Sequence, residues 1–203
     1  MINITFLNSN LRKFGPLWLL TLLLLSACGD RYTPKPRGFM RIDLPEKAYQ
    51  TFDSIMPYSF EYPVYARVVK DPFSRAAEMY RRFNIEFPTL KGTLHLTYEP
   101  VNNSNLDTLL VEAVDFVYKH VPKATTILRS EINNPEVDVF GTLFNIRGRS
   151  AASTYQFFVT DSTSHFMRGA LYLNTETDND SLRPVIDFLK LDVDHFINTL
   201  KWK

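Results

Sequence analysis

The chain has 203 residues, of which 45% are hydrophobic and 14% aromatic, and its 23 Lys and Arg balance 22 Asp and Glu for a net charge of +1. This length and apolar content fit one globular domain with a packed core and exclude a disordered chain. The balanced charge excludes a protein that binds polyanions over its whole surface, so no nucleic-acid partner is expected.

The first segment has the three parts of an export signal. Arg12 and Lys13 precede an apolar run over residues 17–25, and small residues then lead to Cys28. The run is too short to cross a membrane, because a spanning helix needs about 20 apolar residues. The pattern predicts a signal peptide over residues 1–27 and a mature chain that begins at Cys28.

The residues before Cys28 resemble the bacterial lipobox, in which a cysteine receives a diacylglyceryl group and becomes the first residue of the mature protein. Cys28 is the one cysteine of the sequence, so an internal disulfide is excluded. The alternative is a chance cysteine. We predict lipid attachment at Cys28, with acyl chains that hold the protein firmly on a membrane.

Residues 28–56 are predicted to form the lipidated cysteine, a tether and an N-terminal extension. Two glycines and two prolines between residues 29 and 38 disfavour both helix and sheet. Four basic residues follow Cys28, namely Arg31, Lys35, Arg37 and Arg41. They lie where anionic lipid headgroups would be within reach, although they could equally be solvated linker residues.

Residues 57–203 are predicted to form one globular domain. Alternating polar and apolar residues indicate strands at 58–62 with a continuation to 69, 83–87, 93–98, 126–132, 137–146, 155–160 and 166–173. Pro63 restricts the first continuation to a sheet edge or a bulge. Residues 88–92 and 161–164 are the predicted hairpin connections.

Two segments have the apolar spacing of helices. Residues 106–121 carry apolar side chains at i, i+3, i+4 and i+7 and end before Pro122, while residues 182–200 repeat the pattern with Pro184 in the first turn. The order of strands, helix, strands and helix predicts an α+β fold: a single domain with a largely antiparallel sheet and two long helices packed on it.

Motifs of the common enzyme classes are absent from the sequence, including the nucleophile elbow, the phosphate loop and the zinc-protease motif. The four histidines, His95, His120, His165 and His195, lie on four different predicted elements, so no pair has metal-ligand spacing. We therefore predict no enzymatic activity, no cofactor and no metal.

Two groups of acidic residues and histidines have alternative interpretations. Asp192, Asp194 and His195 could perform acid–base chemistry, but the pattern favours a solvated helix face. Asp161 and His165 flank a turn and could form a small polar site, but hydrogen bonding that stabilises the turn is favoured.

The connection over residues 147–156 is the most site-like part of the sequence because it combines small residues, hydroxyls and two arginines. Arginine offers bidentate donors to carboxylate or phosphate groups. The candidate partner-binding residues are Arg147, Arg149, Ser150, Ser153 and Gln156. The alternative is an ordinary strand connection with exposed arginines.

Four Asp-Ser or Asp-Thr pairs, each followed by an apolar residue or Thr, resemble the O-glycosylation acceptor of Bacteroidetes. They begin at Asp53, Asp107, Asp161 and Asp180. Two of them also fit the start of a helix, where Asp and Ser or Thr are preferred. Ser162 is the first candidate acceptor because it lies in a predicted turn, and Ser54 is the second.

The order of short motifs along the mature chain resembles the gliding-motility lipoprotein GldD family of the Bacteroidetes. The motifs are the lipobox Cys28, PKPRGFMRI at 34–42, PYSFEYP at 57–63, FNI at 83–85, AAS at 151–153, QF at 156–157, VTDS at 159–162, HF at 165–166, GALY at 169–172 and LKWK at 200–203. Some family members carry cysteines where this chain has Met56 and Arg82, and if those cysteines form a disulfide, this chain lacks it.

The resemblance implies a role in gliding motility, in which type IX secretion delivers adhesins that move along the cell envelope. It implies no catalytic residues, and its partners would be other gliding and secretion proteins of the envelope. No acidic run follows Cys28, whereas such a run resembles the surface-export signal of Bacteroidetes lipoproteins, so the periplasmic side of a membrane is favoured.

Two functions therefore remain open. The first is a non-catalytic, membrane-anchored component or assembly factor of the gliding and secretion machinery. The alternative is a periplasmic glycan-binding lipoprotein or a hydrolase of envelope polymers, with residues 147–156 and the Asp161 and His165 pair as its site. A cleft in which a histidine meets carboxylates would favour the enzyme.

Overall fold

The computed structural model describes residues 42–72, 81–102, 104–175 and 179–203, which form ten strands and two α-helices. The strands are β1 (Tyr49–Asp53), β2 (Tyr58–Pro63), β3 (Arg67–Lys70), β4 (Arg82–Phe87), β5 (Gly92–Pro100), β6 (Thr126–Asn134), β7 (Val139–Arg147), β8 (Ser153–Thr160), β9 (His165–Leu173) and β10 (Lys201–Trp202). The helices are α1 (Leu106–Tyr118) and α2 (Arg183–Thr199), and short 3-10 turns lie at Pro88–Leu90 and Val121–Lys123.

The strands form two antiparallel sheets. The larger sheet has the order β3-β4-β5-β9-β8-β7-β6, and the smaller one has the order β1-β2-β10. Successive side chains along each strand of the larger sheet point to opposite faces, so two residues paired across neighbouring strands lie on the same face. The antiparallel sheets and packed helices confirm the predicted α+β fold and its single domain.

The main core joins α2 to both sheets. Aromatic side chains dominate it, as Phe60 of β2 stacks near Phe83 of β4 and packs on Phe196 of α2, with ring centroids 5.9 and 4.7 Å apart. Leu189 and Val193 of α2 are completely buried in the same cluster. One face of the larger sheet is therefore covered by α2.

A second, smaller core lies under α1. Ala113 and Val117 of the helix pack with Phe144, Phe158 and Phe166, which come from β7, β8 and β9. The side chains of these strand residues alternate with those of the main core, which places them on the other face of the sheet. Helix α1 therefore occupies only the part of this face that lies over β7, β8 and β9.

The fold begins before the boundary that the sequence suggests at residue 57. Strand β1 lies within the predicted extension and pairs with β2, with Phe52 opposite Phe60. The side chain of Ile42 packs against the main core as well. These residues are partly buried because they pack against β2 and the main core. The local sequence does not show that such partners exist.

Two prolines lie at or near the ends of secondary-structure elements. Strand β2 stops at Pro63, whose carbonyl accepts a hydrogen bond from the Ala66 amide, and the following strand β3 is an edge strand, as predicted. Helix α1 ends at Tyr118, three residues before the predicted end, because Pro122 lies in a separate 3-10 turn. Pro122 has no backbone N–H to donate to the Tyr118 carbonyl, so the α-helical hydrogen bonds cannot continue through it.

Candidate functional site

The connection between β7 and β8 is held in one conformation by Asn179. The Asn179 side-chain amide donates to the carbonyl oxygens of Gly148 at 2.6 Å and Ala151 at 2.9 Å. Its backbone amide donates to the Arg149 carbonyl at 3.1 Å. Three hydrogen bonds from one residue therefore fix the backbone of this connection.

Gly148 allows this connection to approach the turn that follows α1. A Cβ atom at this position would lie 2.3 Å from the Lys123 carbonyl oxygen, closer than any side chain could tolerate. The neighbouring Thr125 amide donates to the Arg147 carbonyl at 2.7 Å. The absence of a side chain on Gly148 therefore sets the position of both flanking arginines.

A cleft of about 500 Å³ lies between this connection and the first half of α2. Four basic residues line it, namely Arg147, Arg149, Arg183 and Lys190, together with the acidic residues Asp180 and Asp187. Arg183 pairs with Asp180 at 2.9 Å, and Lys190 lies 3.9 Å from Asp187. The cleft therefore carries an excess of positive charge, and we call it the basic cleft.

Lys190 is the most buried of these basic groups. Its ammonium donates to the Asn145 side-chain oxygen at 2.9 Å and lies 5.3 Å from the ring centroid of Tyr155. Burial lowers the pKa of Lys190, and the Asp187 carboxylate opposes this shift. A partly desolvated cation of this kind gains from an anionic group placed in the cleft.

The structure separates the five candidate partner-binding residues. Arg147, Arg149 and Ser150 are exposed at the rim of the connection. Ser153 is completely buried and its hydroxyl donates to the Leu171 carbonyl at 3.0 Å, while Gln156 lines a different cavity. The reason is that β8 begins at Ser153 and is buried along its whole length. Neither Ser153 nor Gln156 belongs to the basic cleft.

The sequence analysis did not identify Asn179, Arg183 and Lys190 as residues of the basic cleft. They lie more than 20 residues from the connection and reach it only because α2 folds back along the sheet. One local signal exists: Arg183, Asp187 and Lys190 recur at i, i+4 and i+7, which gives α2 a charged stripe beside its apolar one.

The prediction of a solvated helix face is wrong for Asp192, which is buried. Its carboxylate is buried, and it lies 2.5 Å from the Lys47 ammonium. The hydroxyls of Tyr49 and Tyr65 donate to it at 3.0 and 2.6 Å. Lys47 before β1, Tyr49 of β1 and Tyr65 of the turn after β2 therefore surround the buried carboxylate of α2, which explains why it is stable at this position.

The other two members of this group also have structural partners. Asp194 accepts a hydrogen bond from the Tyr155 hydroxyl at 2.7 Å, and burial raises its pKa although that bond and Lys190 oppose the shift. The His195 ring lies 2.7 Å from a Glu61 oxygen and stacks on Tyr49 at 3.6 Å. Tyr49 contacts both Asp192 and His195, but the charged or hydroxyl partners of the three side chains differ: Lys47 for Asp192, Tyr155 for Asp194 and Glu61 for His195.

Asp161 and His165 form the predicted turn. One Asp161 oxygen accepts from the backbone amides of Thr163, Ser164 and His165 at 2.8 to 3.0 Å. Partial burial opposes the shift, but these hydrogen bonds outweigh it and hold the pKa of Asp161 below its ordinary value. The His165 ring turns away, contacting the Tyr98 hydroxyl at 2.9 Å and stacking on Trp202. The pair is structural.

The remaining predicted sites are placed as follows. Ser162 is exposed in the turn with a positive φ of 67°, and Ser54 is exposed after β1. Cys28 and the basic residues after it lie outside the described residues. Across the described ranges, no group of three His, Cys, Asp or Glu could hold a metal ion, and no helix is long and apolar enough to cross a membrane.

The described residues form an antiparallel α+β domain, and the sequence before them carries the predicted lipobox. A family model described as gliding motility lipoprotein GldD matches residues 29–202. The chain belongs to this family. It is therefore a lipoprotein associated with gliding motility, and it is anchored to a membrane of the cell envelope.

Two further comparisons concern curated protein sequences and solved structures. No curated protein sequence matches the chain. Among solved structures, the chain is similar to the solution structure of cyanobacterial PsbP (CyanoP) from Synechocystis sp. PCC 6803, with 8% identity, a TM-score of 0.44, and coverage of 81% of this chain and 98% of that one. We draw no conclusion about function from a likeness at this level.

Proposed function

We propose that this lipoprotein is a non-catalytic component or assembly factor of the gliding-motility and type IX secretion machinery. It is held on a membrane by acylated Cys28, faces the periplasm through a tether within residues 28–56, and acts through protein–protein contacts. Membership of the GldD family supports the setting. The basic cleft is the single structural observation that supports a partner-binding surface.

The chemistry of the basic cleft favours an acidic partner surface. Arg147 is exposed, and within the described ranges its guanidinium forms no ion pair. Arginine is enriched among the residues that dominate binding energy at protein interfaces, and it pairs with carboxylates through two parallel hydrogen bonds. We infer that a partner places aspartate or glutamate side chains against Arg147 and Arg149.

The rigidity of the cleft supports the same function. Asn179 holds the backbone at Gly148, Arg149 and Ala151, and Arg183 is carried by the first turn of α2. A binding surface that is already in its bound conformation loses less entropy when the partner binds. The backbone that carries Arg147 and Arg149 is therefore already in place when a partner binds.

The contacts of the acidic residues and histidines that the sequence offered as candidates on α2 and in the β8–β9 turn support a non-catalytic role. Asp161 closes a turn, and Asp192 joins the buried cluster with Lys47. His165 stacks on Trp202 and His195 stacks on Tyr49. Each of these groups has a structural task, so the alternative hydrolase would have to use other residues.

Complementation of a deletion strain tests this function. We expect the double variant Arg147→Ala and Arg149→Ala to fold but to reduce colony spreading and delivery of surface adhesins, because the loss of one anchoring arginine costs about 2 kcal/mol or more of binding. The matched control is Arg67→Ala with Arg81→Ala, which removes two exposed arginines that pair with Glu86 and Glu99.

The control should rescue the strain fully, since exposed ion pairs contribute about 1 kcal/mol or less. Full rescue by the Arg147 and Arg149 double variant would contradict the proposed surface. If a well-folded His165→Ala protein then failed to rescue, the hydrolase would become the better explanation. Glycosylation at Ser162 and Ser54 remains a prediction that the same strains can test by mass spectrometry.

A further inference from the structure

A second cavity of about 500 Å³ lies on the sheet face that α1 covers only in part. Its floor follows one row across three strands, because His95 of β5 is opposite Ala170 of β9, which is in turn opposite Gln156 of β8. The small Ala170 side chain separates two long polar ones. The depth of the cavity follows from this residue, since a larger side chain there would fill it.

The wall of this cavity is the end of α1. Two cations lie close to the Phe116 ring: the Arg168 guanidinium carbon is 4.0 Å from the ring centroid, and the Lys119 ammonium is 4.3 Å from it. A cation within about 6 Å of an aromatic face is attracted to it. The ring therefore holds both basic groups at the edge of the cavity.

The charges at this cavity are unbalanced. No Asp or Glu is among the described residues that line it. Glu99 and Glu112 act on Arg168 only at longer range, and Glu99 is already paired with Arg81 at 3.1 Å. Burial lowers the pKa of Arg168, although a guanidinium stays charged near neutral pH. A half-buried cation without a paired anion is costly unless a ligand supplies one.

The floor of the cavity also contains the side-chain amide of Gln156, which has no hydrogen-bond partner among the described residues. Gln156 is only 5% exposed, and its side-chain amide makes no hydrogen bond to another described residue. Every side-chain nitrogen or oxygen that is sealed from solvent in the described ranges does have a partner, so the Gln156 amide must open to the cavity. Buried amides are normally satisfied, and the missing partner would therefore be a bound molecule or water.

We propose that this cavity binds a small organic molecule that carries an oxyanion group, either a carboxylate or a phosphate. The oxyanion pairs with Arg168 and Lys119, the body of the molecule packs against Phe116, and a polar group bonds to the Gln156 amide. The volume lies within the range of about 300 to 1,000 Å³ that is typical of ligand pockets. This site is separate from the basic cleft, and it requires no catalysis.

Binding of three related sugars to the full-length protein in detergent tests this inference. Glucuronate carries a carboxylate, glucose 6-phosphate carries a phosphate, and glucose carries no charge. We expect one or both anions to bind at millimolar concentrations and glucose to bind at least about tenfold more weakly. The anion that binds identifies the oxyanion. Failure of both anions to bind, or equal binding of glucose, would overturn the proposal.

The four histidines report where the anion binds. His95 and His120 line the cavity, whereas His165 and His195 lie elsewhere. In the wild-type protein with isotope-labelled histidine, we expect the anion to shift the ring resonances of His95 and His120 and to leave the other two unchanged. A shift confined to His165 or His195 would place the ligand elsewhere and overturn the proposal.

Two variants separate charge from shape. Arg168→Gln should weaken anion binding about tenfold or more, and Ala170→Leu should block it by filling the cavity. The matched control is Arg129→Gln, because Arg129 also lies over a phenylalanine, 5.4 Å from the Phe144 ring centroid, but it is exposed on the edge strand β6. Unchanged affinity in folded Arg168→Gln and Ala170→Leu proteins would contradict the site.

Discussion

Asp192 shows how one buried carboxylate connects the start of the fold to its last helix. The Lys47 ammonium that pairs with it also donates to the Phe188 carbonyl at 2.9 Å and lies 3.4 Å from the centroid of the Phe188 ring. Burial lowers the pKa of Lys47 and raises the pKa of Tyr49 to about 12, so the tyrosine hydroxyl remains a donor to Asp192. The cluster therefore fastens the residues before β1 to α2.

We expect Asp192→Ala to lower the free energy of unfolding by about 3 to 5 kcal/mol, because it leaves the Lys47 ammonium half-buried without its counterion. Asp187→Ala is the matched control on the same helix, since that carboxylate is 63% exposed and 3.9 Å from Lys190. The control should cost about 1 kcal/mol or less. Equal losses in urea denaturation would contradict the buried cluster.

The sequence pattern correctly placed Asp192 on α2, but it predicted a solvated position for a side chain that is buried. Its spacing from Leu189 and Val193 puts it on the apolar stripe, yet charged residues are rarely fully buried, and the solvated interpretation followed from that rule. The partners Lys47 and Tyr65 lie 145 and 127 residues away along the chain. No local pattern can reveal a counterion at that separation.

At the scale of elements, the two helices differ in how well their apolar pattern predicts burial. The stripe of α2 is buried as predicted, at Val185, Ile186, Leu189, Val193, Phe196, Ile197 and the following Leu200. On α1, Ala113 and Val117 are buried, whereas Leu110 and Val114 are only half-buried. The pattern identifies the inward face of a helix, but the extent of the sheet beneath it decides the burial.

We expect Leu189→Ala to cost about 2 to 5 kcal/mol of stability, because Leu189 is completely buried in the main core. Leu191→Ala is the matched control, as Leu191 is the same residue type on the same helix but is 58% exposed. It should change stability by less than about 1 kcal/mol. Two equal shifts in the unfolding midpoint would show that the orientation of α2 is wrong.

At the scale of the whole molecule, the proposed function depends on the predicted anchor at Cys28. If Cys28 carries the lipid, Cys28→Ala should remove labelling by a clickable fatty acid and leave an unprocessed precursor, because the modified thiol is the substrate for cleavage. Ser26→Ala exchanges one small residue for another two positions earlier and should keep the label. Labelling that survives in Cys28→Ala would exclude this anchor.

The two cavities also belong to the whole molecule. The sequence predicted the arginines of the connection over residues 147–156, since small residues and arginines between two strands form a visible local signal. It did not predict that Asn179 and Lys190 complete the basic cleft, or that Gln156 faces the other cavity beside Arg168. Both arrangements depend on strand register and on the path of α2, which are set by contacts distant in sequence.

Photo-crosslinking in intact cells tests the central claim, which is that the basic cleft binds another envelope protein. A photoreactive residue replaces exposed Ser150, which follows the cleft residue Arg149 in the chain, or, as the control, exposed Lys70 on the edge strand β3. We predict a discrete crosslinked product from position 150 that disappears when Arg147 and Arg149 are both changed to Ala, and no such product from position 70. Absence of a product at position 150, or its persistence in the double variant, would contradict the account.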